Sequence, residues 1–167
     1  VEQSSALFCF EHAGVQPDIM TLGKGIWAGV PLAAVLAREE VCQFEPGEQG
    51  GTYNGNALMV AVGAAVLAEV AAPSLLAHVN AASERLWSGL EALSVQHDLG
   101  PVRGKGLLLA LDLGGGNAGV ISDKALELRL LLNAPRPDSL RFMPALNVSF
   151  AEIDQMLEIL DDALSQN

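Results

Sequence analysis

The sequence predicts an α/β fold, and three observations carry that expectation. Short apolar runs end in glycine-rich turns at residues 18–37, and a long apolar helical pattern follows at 57–72. From residue 73 onward, two helices of 3.6-residue periodicity flank short strand-like runs. The change of pattern near Pro73 divides the chain into residues 1–72, expected to belong to a mostly parallel sheet domain, and 73–167, expected to be a smaller α+β domain.

The chain enters irregularly, with an apolar stretch at Leu7-Phe8-Cys9-Phe10. A strand is expected at Asp18–Gly23 and another at Leu32–Ala37, with Lys24 between Gly23 and Gly25 in the turn that joins them. Open α/β sheets place ligands at strand ends of this kind. An amine in a partly dry pocket loses proton affinity and becomes a nucleophile able to form an imine with an aldehyde. The same triplet also fits a solvated loop lysine.

Arg38–Val41 reads as a helical turn and Phe44–Gly51 as a polar loop. Asn54 or Asn56 then caps a long apolar helix, Ala57–Ala72, whose composition suits a buried position. Glycines and Thr52 ahead of that helix offer free N–H groups and a positive dipole end to an anion, although a capped helix alone explains them equally. Ser74–Val95 carries a stripe of Leu75, Leu76, Val79, Leu86, Leu90 and Leu93.

Arg103-Gly104-Lys105-Gly106 turns into a strand at Leu107–Leu113, making Lys105 a second lysine between glycines. Residues 114–119 satisfy Gly-x-Gly-x-x-Gly after a strand, and Asp138 falls about where a ribose ligand is expected, so residues 102–138 admit a dinucleotide-binding reading. A fresh helix cap at Ser122 or Asp123, beyond the last glycine, argues against it. Strands at Leu130–Asn133 and Leu140–Phe142 precede a helix at Ser149–Leu164, opened by a Ser149/Glu152 capping box. Arg141, on the second of these strands, has the planar fork that suits bidentate capture of a carboxylate, and a surface ion pair would suit it as well.

Composition excludes several classes. A net charge of −11 with nine basic residues argues against nucleic acid as a partner. Half the residues are hydrophobic, yet no apolar run reaches the roughly 18–20 residues of a membrane span. Cys9 and Cys42 form no disulfide framework and no metal spacing exists with His12, His78 or His97, which fits a reducing cytoplasmic setting. No signal peptide is legible at the start, and a chain opening on Val1 reads as a fragment or a processed form.

Three collinear segments carry a resemblance: PDIMTLGKGIWAGVPLAAVLA at 17–37, GGTYNGNALMVAVGAAVL at 50–67 and LLLNAPRPDSLRFMPALNVSFAEIDQM at 130–156. Together they resemble the class III (ornithine-type) aminotransferases, pyridoxal-phosphate enzymes of fold type I. The resemblance implies that residues 1–72 are the C-terminal part of the large cofactor-binding domain and 73–167 the small domain. It implies that Lys24 binds pyridoxal 5'-phosphate and moves the proton. Thr52 would hold the cofactor phosphate of a neighbouring subunit, Gly51 would approach substrate, and Arg141 would bind the substrate carboxylate. Lys105 sits where the family uses a structural residue.

The implied activity is transfer of the δ-amino group of N-acetylornithine to 2-oxoglutarate in arginine biosynthesis. Ornithine, succinylornithine, succinyldiaminopimelate and 4-aminobutyrate are alternative donors. The implied partners are small amino and 2-oxo acids and a second subunit in a homodimer with a shared site, with no metal, nucleic acid or membrane. A non-catalytic fragment is the competing reading from another class.

Departures qualify the match. Trp27 and Ala28 replace small glycines, so an indole either narrows the site or fills a gap. Glu2-Gln3-Ser4-Ser5 stands where the family has a glycine- and arginine-containing loop. No residue here corresponds to the family's phosphate-cradling glycines, ring-stacking aromatic or ring-nitrogen aspartate. The chain alone is therefore expected to bind cofactor poorly, to turn over little, and to associate through exposed apolar surface.

Overall fold

Val79, Ala82, Leu86, Leu90 and Leu93 recur at three- and four-residue spacing, and all five are buried, so Pro73–Gln96 forms a long amphipathic helix (α2). The structure is a computed structural model that describes residues 6–166, with the backbone alone described for Ile26 and Trp27. The expectation for residues 2–5 and that for the Trp27 indole lie outside what is described. Contacts divide the chain into two compact units that meet in sequence between Ala72 and Pro73.

In the first unit, β1 (Ile19–Leu22) pairs with β2 (Ala34–Ala37) in an antiparallel ribbon from Ile19↔Ala37 to Leu22↔Ala34. This pair is antiparallel within a domain expected to be mostly parallel. Residues 23–33 return the chain directly, without the crossover helix that parallel pairing requires. At the open end Arg38 N–H donates to the Asp18 carbonyl at 2.9 Å, and the two side chains pair at 3.6 Å.

Helix α1 (Ala57–Val70) is capped by Asn56, whose Oδ1 accepts from Met59 N–H at 3.2 Å, so Asn56 rather than Asn54 is the cap. It is apolar on nearly every side, yet Gly63 is its one buried residue, and Leu58 is 66% exposed. The expectation of a buried helix is corrected for the chain as it stands. An all-round apolar helix needs cover on every side, and one ribbon cannot supply it.

Every buried hydrophobic residue described lies in the second unit. There β3 (Val102–Lys105), β4 (Leu108–Asp112), β5 (Asn133–Arg136) and β6 (Ser139–Phe142) form an antiparallel sheet in the order β3-β4-β6-β5. Val102, Leu109, Leu111, Leu140 and Phe142 join the core formed with α2, α3 (Ala118–Glu127) and α4 (Phe150–Ser165). Arg103, Ala110 and Arg141 form one cross-strand row, and both arginines are exposed.

Two boundaries differ from expectation. Helix α3 begins at Ala118, inside the glycine run, and not at Ser122, whose hydroxyl instead donates to the Leu132 carbonyl at 3.3 Å. The expected strand at 130–133 is a packed loop, because Arg129 takes φ +69 and Leu130 N–H returns to the Ala125 carbonyl at 2.8 Å. Pairing starts at Asn133, in an edge strand that tolerates Pro135. The Ser149/Glu152 capping box forms as expected and opens α4.

Candidate active site

Lys24 begins a short 3-10 turn, Lys24–Trp27, directly after β1, and its φ is +57. A non-glycine residue in the left-handed region is held there at a cost of order 1 kcal/mol, and such residues gather at functional sites. The turn packs against α1. Lys24 is exposed, and among the described residues its amine has no hydrogen-bond or ion-pair partner.

A concavity of about 560 Å³ opens beside it, lined by Phe8, Cys9, Phe10, Met20, Thr21, Leu22, Gly23 and Lys24. That volume falls within the range of small-ligand sites. The rings of Phe8 and Phe10 stack with centroids 5.7 Å apart. A 3-10 turn over Cys9–Ala13 ends at Gly14 with φ +63 and follows directly on the wall residue Phe8. In the sequence, residues 7–10 are only an apolar stretch, and nothing local in it announces a wall beside a lysine fifteen or so residues on.

Thr52 and Gly51 lie just ahead of α1, exposed, and do not line that concavity. Asn54 N–H donates to the Gly51 carbonyl at 3.0 Å, and the Asn54 side-chain amide packs over Gly51, where a Cβ would stand 2.8 Å from its Oδ1. Arg141 belongs to the second unit, on β6 between Ala110 and Asn133. It is exposed and, among the described residues, without a polar partner. A separate concavity of about 200 Å³ is walled by Arg141 together with Leu132, Met143, Pro144, Val148 and Met156, among others. Lys105 ends β3 opposite Leu108.

The glycine run 114–116 reaches a helix N-terminus after all, which removes the cap argument against nucleotide binding. Other features take its place. The Ala118 N–H that a phosphate would need donates to the Pro137 carbonyl at 2.9 Å. Strand β5, reached through α3, is separated from β4 by β6, so the adjacent parallel βαβ unit of the fingerprint is not formed. No metal-binding cluster exists among the described residues, and neither Cys9 nor Cys42 forms a disulfide.

The family described as Aminotransferase class-III matches residues 3–164. The chain belongs to the class III aminotransferases. Acetylornithine aminotransferase 2 of Bordetella parapertussis is 51% identical over 166 residues, covering 98% of this chain and 42% of the relative. Acetylornithine aminotransferase of Ralstonia nicotianae is 52% identical over 157 residues, covering 92% and 39%. Among solved structures, N-acetylornithine aminotransferase from Stenotrophomonas maltophilia K279a superimposes with a TM-score of 0.86 at 32% identity, covering 99% of this chain and 44% of that one. An S-selective transaminase from Bacillus megaterium gives a TM-score of 0.90 at 28% identity, covering 99% and 41%.

The fold is therefore that of the matching part of these α/β, fold type I enzymes. The chain spans about two fifths of the length of the curated relatives it matches. Class III aminotransferases are pyridoxal-phosphate enzymes, and the residues present fit such a group: an unpaired amine opens on an aromatic-walled concavity.

Proposed function

We propose that this chain is the lysine-bearing portion of an aminotransferase that moves the δ-amino group of N-acetylornithine to 2-oxoglutarate, in arginine biosynthesis. The observation that carries the reading is Lys24, unpaired and in the left-handed region beside the Phe8/Phe10-walled concavity. The names of the relatives supply the amino donor.

In this reading Ala6–Ala72 lies in the C-terminal part of a large cofactor-binding domain, and the unit from Pro73 is the small domain. Lys24 would hold the cofactor through its side-chain amine, and once freed that amine would move the proton at the reacting carbon of the substrate. The chemistry that bound pyridoxal 5'-phosphate supplies is an electron sink. The guanidinium of Arg141 captures a substrate carboxylate through its planar fork. The Thr52 hydroxyl and amide hold the phosphate of the other subunit's cofactor, while Gly51 lets substrate pass close to the backbone. The assembly is a cytoplasmic homodimer. Among the described residues no single helix is long and apolar enough to cross a membrane.

The experiment is a visible absorption titration of the purified chain with pyridoxal 5'-phosphate beside Lys24→Ala. A band lost in Lys24→Ala, bleached by N-acetylornithine and restored by 2-oxoglutarate, supports the reading. A band that survives Lys24→Ala overturns it.

A further inference from the structure

Arg141 is fixed in a strand, but part of its concavity is not. Residues 143–149 leave β6 and reach α4 with one internal turn, Val148 N–H to the Ala145 carbonyl at 3.1 Å. Three of them, Met143, Pro144 and Val148, wall the concavity that Arg141 opens on. Among the described residues, the one hydrogen bond that ties this segment to a distant element runs from His78 on α2. Its Nε2 lies 2.9 Å from the Val148 carbonyl oxygen, and since a carbonyl only accepts, Nε2 carries the hydrogen and donates.

Further contacts hold that bond in place. The His78 ring stacks on Phe150, the first residue of α4, with centroids 5.7 Å apart and planes 17° apart. Arg85, two helical turns further along the same face of α2, places its guanidinium 5.7 Å from the Phe150 centroid and binds Asp154 through Nε and Nη2, both at 2.6 Å. Glu152, which also lines the concavity, is turned onto the Ser149 N–H and hydroxyl. The acid beside Arg141 is thereby occupied with the helix cap.

We propose that His78 is a positioning residue for the carboxylate pocket of Arg141: its bond to the Val148 carbonyl sets the wall against which a carboxylate held by Arg141 rests. The inference rests on the proposed role of Arg141 and adds a residue outside the pocket that acts on it through the backbone.

The test measures glutarate binding to the full chain by isothermal titration calorimetry, with the Arg141 side-chain Nε–Hε resonance followed in the variants that keep Arg141 and thermal unfolding recorded in parallel. His78→Phe keeps a ring over Phe150 and removes the donor, whereas His78→Gln keeps a donor and removes the ring. We expect His78→Phe to weaken glutarate binding roughly fivefold, the effect of one hydrogen bond, with its melting temperature close to that of the parent and His78→Gln near parental affinity. Parental affinity in His78→Phe overturns the proposal, as does equal weakening in both variants, because the ring would then matter and the bond would not. Arg141→Ala separates the two levels: binding that survives it removes the role of Arg141 itself, whereas binding lost in Arg141→Ala but intact in His78→Phe removes only the role of His78.

Discussion

His97 Nε2 lies 2.6 Å from Asp161 Oδ1, so the residue that follows α2 is tied to the last turns of α4. Gln96 donates to the same carboxylate oxygen at 2.8 Å. The hydrogen bond from His97 is the chief cause that holds the Asp161 carboxyl below the usual carboxylate range; desolvation opposes it and the Gln96 bond assists. A carboxyl depressed in the folded state stabilises the fold above its unfolded pKa, and that stability is lost as pH falls through the folded value. Urea unfolding should therefore weaken from about pH 4 downward. Asp161→Asn should cost about 0.5–1 kcal/mol at neutral pH, as for other partly exposed pairs, and flatten that acid slope.

Two glycines in the second unit are tight for different reasons. A Cβ on Gly104 would stand 2.1 Å from the Leu108 carbonyl oxygen, at φ +129, so backbone meets backbone in the β3–β4 pair. On Gly89 it would stand 2.2 Å from Leu157 Cδ1, the end of a flexible side chain. Gly104→Ala should lose about 2–3 kcal/mol in urea unfolding, and Gly89→Ala distinctly less.

The first unit leaves apolar side chains in solvent. Val35 is 70% exposed on β2 and Leu58 66% exposed on α1, and no buried hydrophobic residue is described there. Surfaces of this kind associate. Sedimentation velocity should show concentration-dependent association of the chain, reduced by Leu58→Glu with Val35→Lys and unaffected by Leu131→Glu, an exposed position of the second unit.

The second unit was largely legible in the sequence because its helices are amphipathic and its cap is local. Val79, Leu86, Leu90 and Leu93 announced α2 by spacing, and Ser149 with Glu152 announced α4. What failed was decided by tertiary contacts. Leu130–Leu132 is apolar enough for a strand, but Arg129 in the left-handed region turns it into a packed loop. The exposure of α1 depends on what lies beside it, which apolar content does not record. In the candidate site, glycines around Lys24 and the fork of Arg141 were readable as chemistry. The walls were not: Phe8 and Phe10 are distant in sequence from Lys24, and His78 reaches Val148 across seventy residues.

The central claim is that Lys24, among the three lysines of the chain, is the one that takes the cofactor aldehyde. Its most direct measurement is reductive trapping: the chain is incubated with pyridoxal 5'-phosphate, reduced with borohydride and digested for peptide mass spectrometry. The account predicts the reduced adduct predominantly on the Lys24 peptide, with Lys105 and Lys124 modified only at background level. Adduct distributed evenly over the three, or concentrated on Lys105, would contradict it.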